Sequence, residues 1–287
     1  PNSSGLNTSP SIENNFLRLD YLTTTGPRII GLYARGVDGN LFAETPDVHW
    51  STPHGEFYLR GGHRLWTAPE DSFYTCPEDG VSVFEEKDKV VLRSLIDASG
   101  LEKEISFRLD ENRVHLTHRI TWHGDKPVEF APWTITQLRL GGMAILPLST
   151  SEGLEPNRNL VLWPYSQVHD ERFELLDDMV LLRGQAAEQA FKIGNFNKHG
   201  WIACMVAKAL FVKRFSISDP QSYPDLGCNV EAYVKDVCIE LEALGHLVKL
   251  NPRESAAQEE TWEVITDTEY PATKESARAI LSRLSSK

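Results

Sequence analysis

Hydrophobic and polar residues alternate with period two along most of this chain, the pattern of strands buried on one face. The clearest run is Arg113 to His123. Val114, Leu116, His118, Ile120 and Trp122 fall on one face, and His115, Thr117, Arg119, Thr121 and His123 on the other. Before it, Leu101 to Leu109 alternates Glu102 and Glu104 with Lys103, Ile105 and Phe107, and Asp110-Glu111-Asn112 reads as a polar turn. Gly124-Asp125-Lys126-Pro127 ends the second strand and Val128 to Leu138 begins a third. The reading is a meander of antiparallel strands.

Similar short runs recur at Phe16–Tyr21, Arg28–Tyr33, Val90–Ile96, Leu160–Trp163, Met179–Arg183, Trp201–Val206, Leu210–Phe215, Cys228–Tyr233, Val237–Leu244 and Trp262–Ile265. Helical spacing is confined to Thr273–Leu284, where Ala277, Ile280, Leu281 and Leu284 form an apolar stripe. Many strands without intervening helices predict an all-β fold, a large antiparallel β-sandwich with a short C-terminal helix, rather than α/β. The expected organisation is a flexible arm over 1–12, one sandwich domain over 13–270 and the helix over 271–287.

The 287 residues and their 41% hydrophobic share suffice for a sizeable core. A formal charge of −12 argues against a nucleic-acid or anionic-membrane partner, since both attract basic patches. The longest apolar stretch, Trp201 to Val212, is interrupted by Lys208 and too short to span a bilayer. The chain reads as soluble, and no charged-then-apolar leader pattern opens it; the compartment stays open. Asn2-Ser3-Ser4 and Asn7-Thr8-Ser9 fit the glycosylation acceptor pattern, which an Asn/Ser/Thr-rich arm also meets by chance. Cys76, Cys204, Cys228 and Cys238 are widely spaced, without the paired spacing of a zinc site.

The most informative segment runs from Cys228 to Glu242. With Lys235-Asp236 as a two-residue loop, Glu231 opposes Glu240 and Asn229 opposes Glu242. Alternation then sets Asn229, Glu231, Tyr233, Glu240 and Glu242 on one face and Val230, Ile239 and Leu241 on the other. Carboxylates this close repel, and burial raises at least one pKa towards neutrality, as a general acid or base requires. The alternative is a solvated sheet face.

A second cluster is Arg60-Gly61-Gly62-His63-Arg64-Leu65-Trp66-Thr67-Ala68-Pro69-Glu70. Paired glycines let a backbone turn tightly or approach a ligand. Arg64 offers a planar fork, Trp66 a stacking face and His63 a proton donor near neutral pH. The alternative is a structural turn. A third group, Lys213-Arg214-Phe215 with Tyr223-Pro224-Asp225, either contacts a polar ligand or ends an exposed strand at a sheet edge. His169 reads as a loop residue and His118 as a core one. Nucleophile-elbow, phosphate-loop, dinucleotide and H-E-x-x-H patterns are missing from the sequence.

Together these segments resemble the galactose mutarotase-like (aldose 1-epimerase-like) superfamily, closest to a bacterial branch with a G-G-H-R-L-W stretch. Glu13-Asn14-Asn15-Phe16 to Leu41-Phe42 is similar to its opening strands, with Gly26-Pro27-Arg28-Ile29-Ile30 at a G-G-R-I-type turn. Gly61-Gly62-His63-Arg64 is similar to the segment whose Asn and Arg bind sugar hydroxyls, His63 standing in the Asn place. Leu241-Glu242 and Asn251-Pro252-Arg253-Glu254 resemble the family's L-E and P-G-E elements. The likeness spans roughly residues 13 to 265. Ala131-Pro132-Trp133-Thr134-Ile135-Thr136-Gln137, where mutarotases carry a general-acid His, has none, and Arg253 replaces the glycine of P-G-E.

The resemblance implies a β-supersandwich with a ligand cleft on a concave face, taking a small-molecule carbohydrate and no cofactor. The expected activity is aldose 1-epimerase-like. Glu242 is the base, with Glu240 close behind, and His63 the acid. Arg64, Trp66, Glu70, Trp133, Gln137, Lys213, Asp225, Asn229 and Glu231 contact the substrate. The alternatives are a carbohydrate-binding module without catalysis, and a polysaccharide lyase or glycoside hydrolase of sandwich type. The resemblance implies no metal, although three nearby carboxylates could hold Ca²⁺.

Overall fold

The computed structural model describes residues 9–150, 153–217 and 223–285. Its strands form two large antiparallel sheets. The first runs in the order Ser11–Glu13, Leu17–Tyr21, Ile29–Ala34, Gly55–Ala68, Val128–Leu138, Ile239–Leu244, Val230–Val234, Phe191–Asn195 and Val161–Leu162. Glu44–Thr52 hairpins onto the first half of Gly55–Ala68, and Val248–Leu250 joins the start of Val128–Leu138. The second sheet runs Phe173–Leu175, Met179–Arg183, Met143–Pro147, Trp201–Val206, Ala209–Phe215, Ser255–Ile265, Arg113–Trp122, Leu101–Asp110, Lys89–Ser94 and Val81–Glu86.

The main core lies between the sheets and draws on both, with Leu19, Leu32 and Leu241 from one and Ile105, Ile120 and Trp262 from the other. The helix Lys274–Ser285 covers the outer face of the second sheet, setting Ala277, Ile280 and Leu284 on Trp201, Met143 and Leu210. Strands at that point are covered on both sides, so Trp201–Val206 and Ala209–Phe215 read as one apolar run rather than as alternation. Lys208, which interrupts the run, sits in the tight turn between them with Ala207, both in the left-handed region.

Three expectations change. The arm expected over 1–12 has become an edge strand by Ser11; its earlier part, with both glycosylation patterns, lies outside the described residues. The hairpin of Leu101–Asp110 and Arg113–Trp122 forms as read, but Val128–Leu138 does not extend that meander. It crosses to the other sheet, and Ser255–Ile265 takes the place beside Arg113–Trp122. Lys213-Arg214-Phe215 is not at a sheet edge: its strand lies between Trp201–Val206 and Ser255–Ile265.

The paired glycines have a backbone reason. Arg60, Gly61 and Gly62 all have positive φ, at 60°, 87° and 71°, and bend the long Gly55–Ala68 strand so that its two halves pair with different partners. A Cβ on Gly61 would meet the Ala43 carbonyl oxygen at 1.9 Å, and one on Gly62 the Ile29 carbonyl oxygen at 2.1 Å. Arg28, fully buried, donates to the carbonyls of Leu59 (3.0 Å) and Gly61 (3.1 Å) and pairs with Glu78, which holds the bend from beneath.

Candidate functional site

Alternation along the central strands of the first sheet decides which side chains meet. Gly55–Ala68, Val128–Leu138, Ile239–Leu244, Val230–Val234 and Phe191–Asn195 lie side by side. On the face away from the core, Arg64 stands opposite Ile135, Ile135 opposite Glu242, and Glu242 opposite Glu231. One step along, Gln137 opposes Glu240, Glu240 opposes Tyr233, and Tyr233 opposes Lys192. Trp66 and Trp133 face each other in the next pair, 5.7 Å between ring centroids. All of these except Ile135, Glu231 and Glu242 line a cleft of about 450 Å³, walled by Val48, Trp50 and Leu59 on one side and by Tyr165 and residues 235–238 on the other.

The Val230–Val234/Ile239–Leu244 hairpin differs in register from the expectation. Glu231 opposes Glu242 and Tyr233 opposes Glu240, with Asp236-Val237 at the tip and Lys235 N–H donating to the Cys238 carbonyl (3.3 Å). The slip is two residues, so no side chain changes face, and Glu231, Tyr233, Glu240 and Glu242 share the cleft side as read. Asn229 does not join them. Its amide exchanges hydrogen bonds with the Asn197 backbone, Oδ1 accepting at 2.7 Å and Nδ2 donating at 3.0 Å, so it ties two strand ends together.

Charge is closely paired in the floor. Lys192 Nζ lies 2.6 Å from Glu231 Oε2 and 2.9 Å from Glu242 Oε2, and it also sits over the rings of Trp133 (4.4 Å) and Trp163 (4.6 Å). Burial works against its charge, but Glu242 and Glu231 outweigh burial and its pKa is raised. Trp133 Nε1 donates to Glu242 Oε2 at 2.7 Å, and Glu242 is completely covered. Of the three glutamates on this face, the one that lines the cleft is Glu240, which accepts from Gln137 Nε2 at 2.7 Å and from Arg64 Nη2 at 3.3 Å. Burial raises the Glu240 pKa against the pull of Arg64, and it raises that of Glu231 well above the ordinary carboxylate value. Arg64 Nε and Nη1 and Gln137 Oε1 have no partner among the described residues.

His63 lies on the other side of the sheet. Successive residues of a strand point to opposite faces, so with Arg64 in the cleft His63 enters the core. There a directional chain forms. His118 Nδ1 faces the Gln258 carbonyl at 3.2 Å, which can only accept, so that nitrogen carries the proton. His118 Nε2 then accepts from His63 Nε2 at 2.8 Å, and His63 Nδ1 accepts the Thr136 hydroxyl at 2.9 Å. Lys213 Nζ donates to Thr136 Oγ1 (3.2 Å) and to the carbonyls of Thr134 (2.8 Å) and Leu241 (3.2 Å). It also pairs with Glu260 at 3.4 Å. Donor atoms of His63, His118 and Glu260 come within 4.8 Å of one another. Lys213 already supplies the positive charge that Glu260 needs, and the two imidazoles share a proton, so the set does not fit a divalent ion. Burial, then the neighbouring His118 and Lys213, holds the His63 pKa well below its ordinary value.

Two assignments are thereby corrected. His63 and Lys213 are fully buried between the sheets and line no part of the cleft. Arg64, Trp66, Trp133, Gln137 and Glu240 come together at the cleft and Glu70 stands at its exposed rim, whereas Asp225, half-buried, and Glu231, fully buried, lie outside its lining. His169 is exposed and outside the cleft, and none of the described residues lining it is a histidine. The sequence reading missed Lys192, Trp50 and Tyr165. A signal for Lys192 existed: one cation between Phe191 and Ile193 in a strand-like run has to find a counter-charge. Tyr165 is placed by tertiary contacts, as Ser166 Oγ exchanges hydrogen bonds with the Lys192 backbone at 2.7 and 2.8 Å.

Among the described residues no helix is long and apolar enough to cross a membrane. No protein-family model matches the chain, and no curated protein does. Solved structures do. Slr1438 from Synechocystis sp. PCC 6803 is 12% identical over 90% of this chain and 96% of its own, with a TM-score of 0.56. A putative aldose 1-epimerase from Escherichia coli K12 is 13% identical over 88% of this chain and 97% of its own, TM-score 0.55. A galactose mutarotase-like protein from Lactobacillus casei ATCC 334 is 10% identical over 89% and 99%, TM-score 0.51. With its paired antiparallel sheets and the cleft on the outer face of one of them, the chain has the galactose mutarotase-like fold.

Proposed function

We propose that this protein recognises a carbohydrate in the cleft above Arg64, Trp133 and Lys192, and that it binds the sugar without turning it over. The lining carries this reading. The phenol rings of Tyr165 and Tyr233 keep surface open to the cleft for the apolar side of a pyranose. Arg64, Gln137 and Glu240 combine N–H donors with carboxylate and amide acceptors, the mixture a vicinal diol needs. Similarity to a putative aldose 1-epimerase points to the same ligand class.

Anomer interconversion needs an acid at the ring oxygen as well as a base at the anomeric hydroxyl. His63 faces the core, and among the donors that line the cleft Lys192, Tyr165 and Tyr233 all have raised pKa values. Lys192 is moreover committed to two carboxylates. This absence of a ready acid favours binding alone. A second reading, catalysis of the aldose 1-epimerase type, is favoured by Glu240: it lines the cleft with its pKa shifted towards that of a general base. Glu242, the base implied by resemblance, is sealed beneath Lys192 and Trp133.

Magnetisation-exchange NMR of anomeric protons across neutral hexoses, uronic acids and sugar phosphates decides between them. Saturation transfer to a sugar without faster anomer exchange is the expected result. Accelerated exchange that disappears in Glu240→Gln would replace it with the epimerase reading. No response to any of these sugars, or to oligosaccharides added to the panel, would end both.

A further inference from the structure

The cleft continues past the polar floor. From Trp133 a row of rings passes to Trp66 (5.7 Å) and on to Trp50 (6.4 Å), a path longer than one pyranose is wide. Trp50 stands on the Glu44–Thr52 strand, the outer strand of the hairpin that the Arg60-Gly61-Gly62 bend tilts away from the sheet. Phe57 supports it from beneath at 4.9 Å, yet 38% of its surface is open, on the cleft side. Across the opening stand Tyr165, 37% exposed, and the hairpin tip with Lys235, Asp236 and Val237. The mouth therefore resembles the floor in chemistry: aromatic rings flanked by cations and carboxylates.

Trp50 buries most of its area against Phe57 and Trp66. It presents the remaining surface at the mouth of a concave, polar-rimmed site, where an exposed indole is a stacking platform for a second sugar ring. Resting on the proposed function above, we infer that the cleft holds two sugar subsites, an inner one at Arg64, Gln137 and Glu240 and an outer one on Trp50. The ligand class is then the end of an oligosaccharide rather than a free monosaccharide. The inner subsite takes the terminal residue, and the chain leaves over Trp50 towards solvent.

Titration calorimetry of glucose, galactose, cellotriose and maltotriose with the wild-type protein and with Trp50→Ala tests this. At least one trisaccharide is expected to bind about tenfold tighter than its monosaccharide, the gain of one aromatic stacking partner. Trp50→Ala is expected to cost the trisaccharide about tenfold and the monosaccharide clearly less, with its circular dichroism spectrum and melting temperature reporting the fold. Equal affinity for both lengths would overturn the outer subsite while leaving the sugar-binding reading standing. Equal loss for both lengths in Trp50→Ala would also overturn it, reducing Trp50 to a support for Trp66. Binding of none of the four sugars, by wild type or variant, would overturn the subsite together with the reading it rests on.

Discussion

Lys192 and Glu242 meet across the sheet, Nζ 2.9 Å from Oε2, although the Val230–Val234 strand runs between theirs. The same ammonium neutralises Glu231, the residue directly opposite Glu242, so one cation holds two buried carboxylates together. With Arg64 and Gln137 holding Glu240, this pairing lets one sheet face carry three glutamates.

Removing that cation leaves uncompensated buried charge. Lys192→Met is expected to lower stability by about 3–5 kcal/mol near neutral pH, the cost of breaking a buried pair from one side. The carboxylates of the variant gain protons on folding, so its loss shrinks as pH falls. Urea unfolding at pH 5 and pH 8 measures both effects.

The bend at Gly62 admits no side chain. Gly62→Ala places a Cβ against the Ile29 carbonyl oxygen at a residue with φ of 71°. A loss of about 3 kcal/mol or more follows, several degrees in melting temperature for a chain of this size. Gly36→Ala, where a Cβ meets nothing within 4 Å, also has positive φ and serves as the control for backbone strain alone.

The paired imidazoles predict an acid-labile component of stability. Burial depresses the folded pKa of both His63 and His118 below the ordinary 6.5. A depressed pKa contributes stability that is present above the unfolded value and lost as pH falls through the folded one. Replacing both, as His63→Leu with His118→Leu, should flatten the decline between about pH 6.5 and pH 4.5 relative to wild type. Denaturant melts at half-unit pH intervals show whether the two curves converge.

Arg64 and Lys are not interchangeable at this floor. Arg64→Lys keeps a positive charge beside Glu240 but loses the planar fork and the contact over Trp66 at 4.4 Å. Sugar affinity is expected to fall about tenfold, with the melting temperature moving by only a few degrees. Calorimetric titration against the best-binding sugar, together with a thermal melt, separates the two.

What the sequence settled by itself follows from local periodicity. Alternation at Arg113–Trp122 and at Val230–Val234 depends only on neighbours two apart, so strand identity and shared faces could be read directly, and the two-residue register slip left them intact. The same rule already separates His63 from Arg64, since adjacent residues cannot both face one cleft. Partners remote in sequence could not be read this way. That Val128–Leu138 leaves the meander for the other sheet depends on which strands complete each core, and Lys192 reaches Glu242 across a separation of 50 residues. Whether a carboxylate lines the cleft, as Glu240 does, or lies sealed beneath it, as Glu242 does, depends on what Lys192 and Trp133 cover. Burial and charge pairing belong to the assembled sheets, and only the tertiary structure decided them.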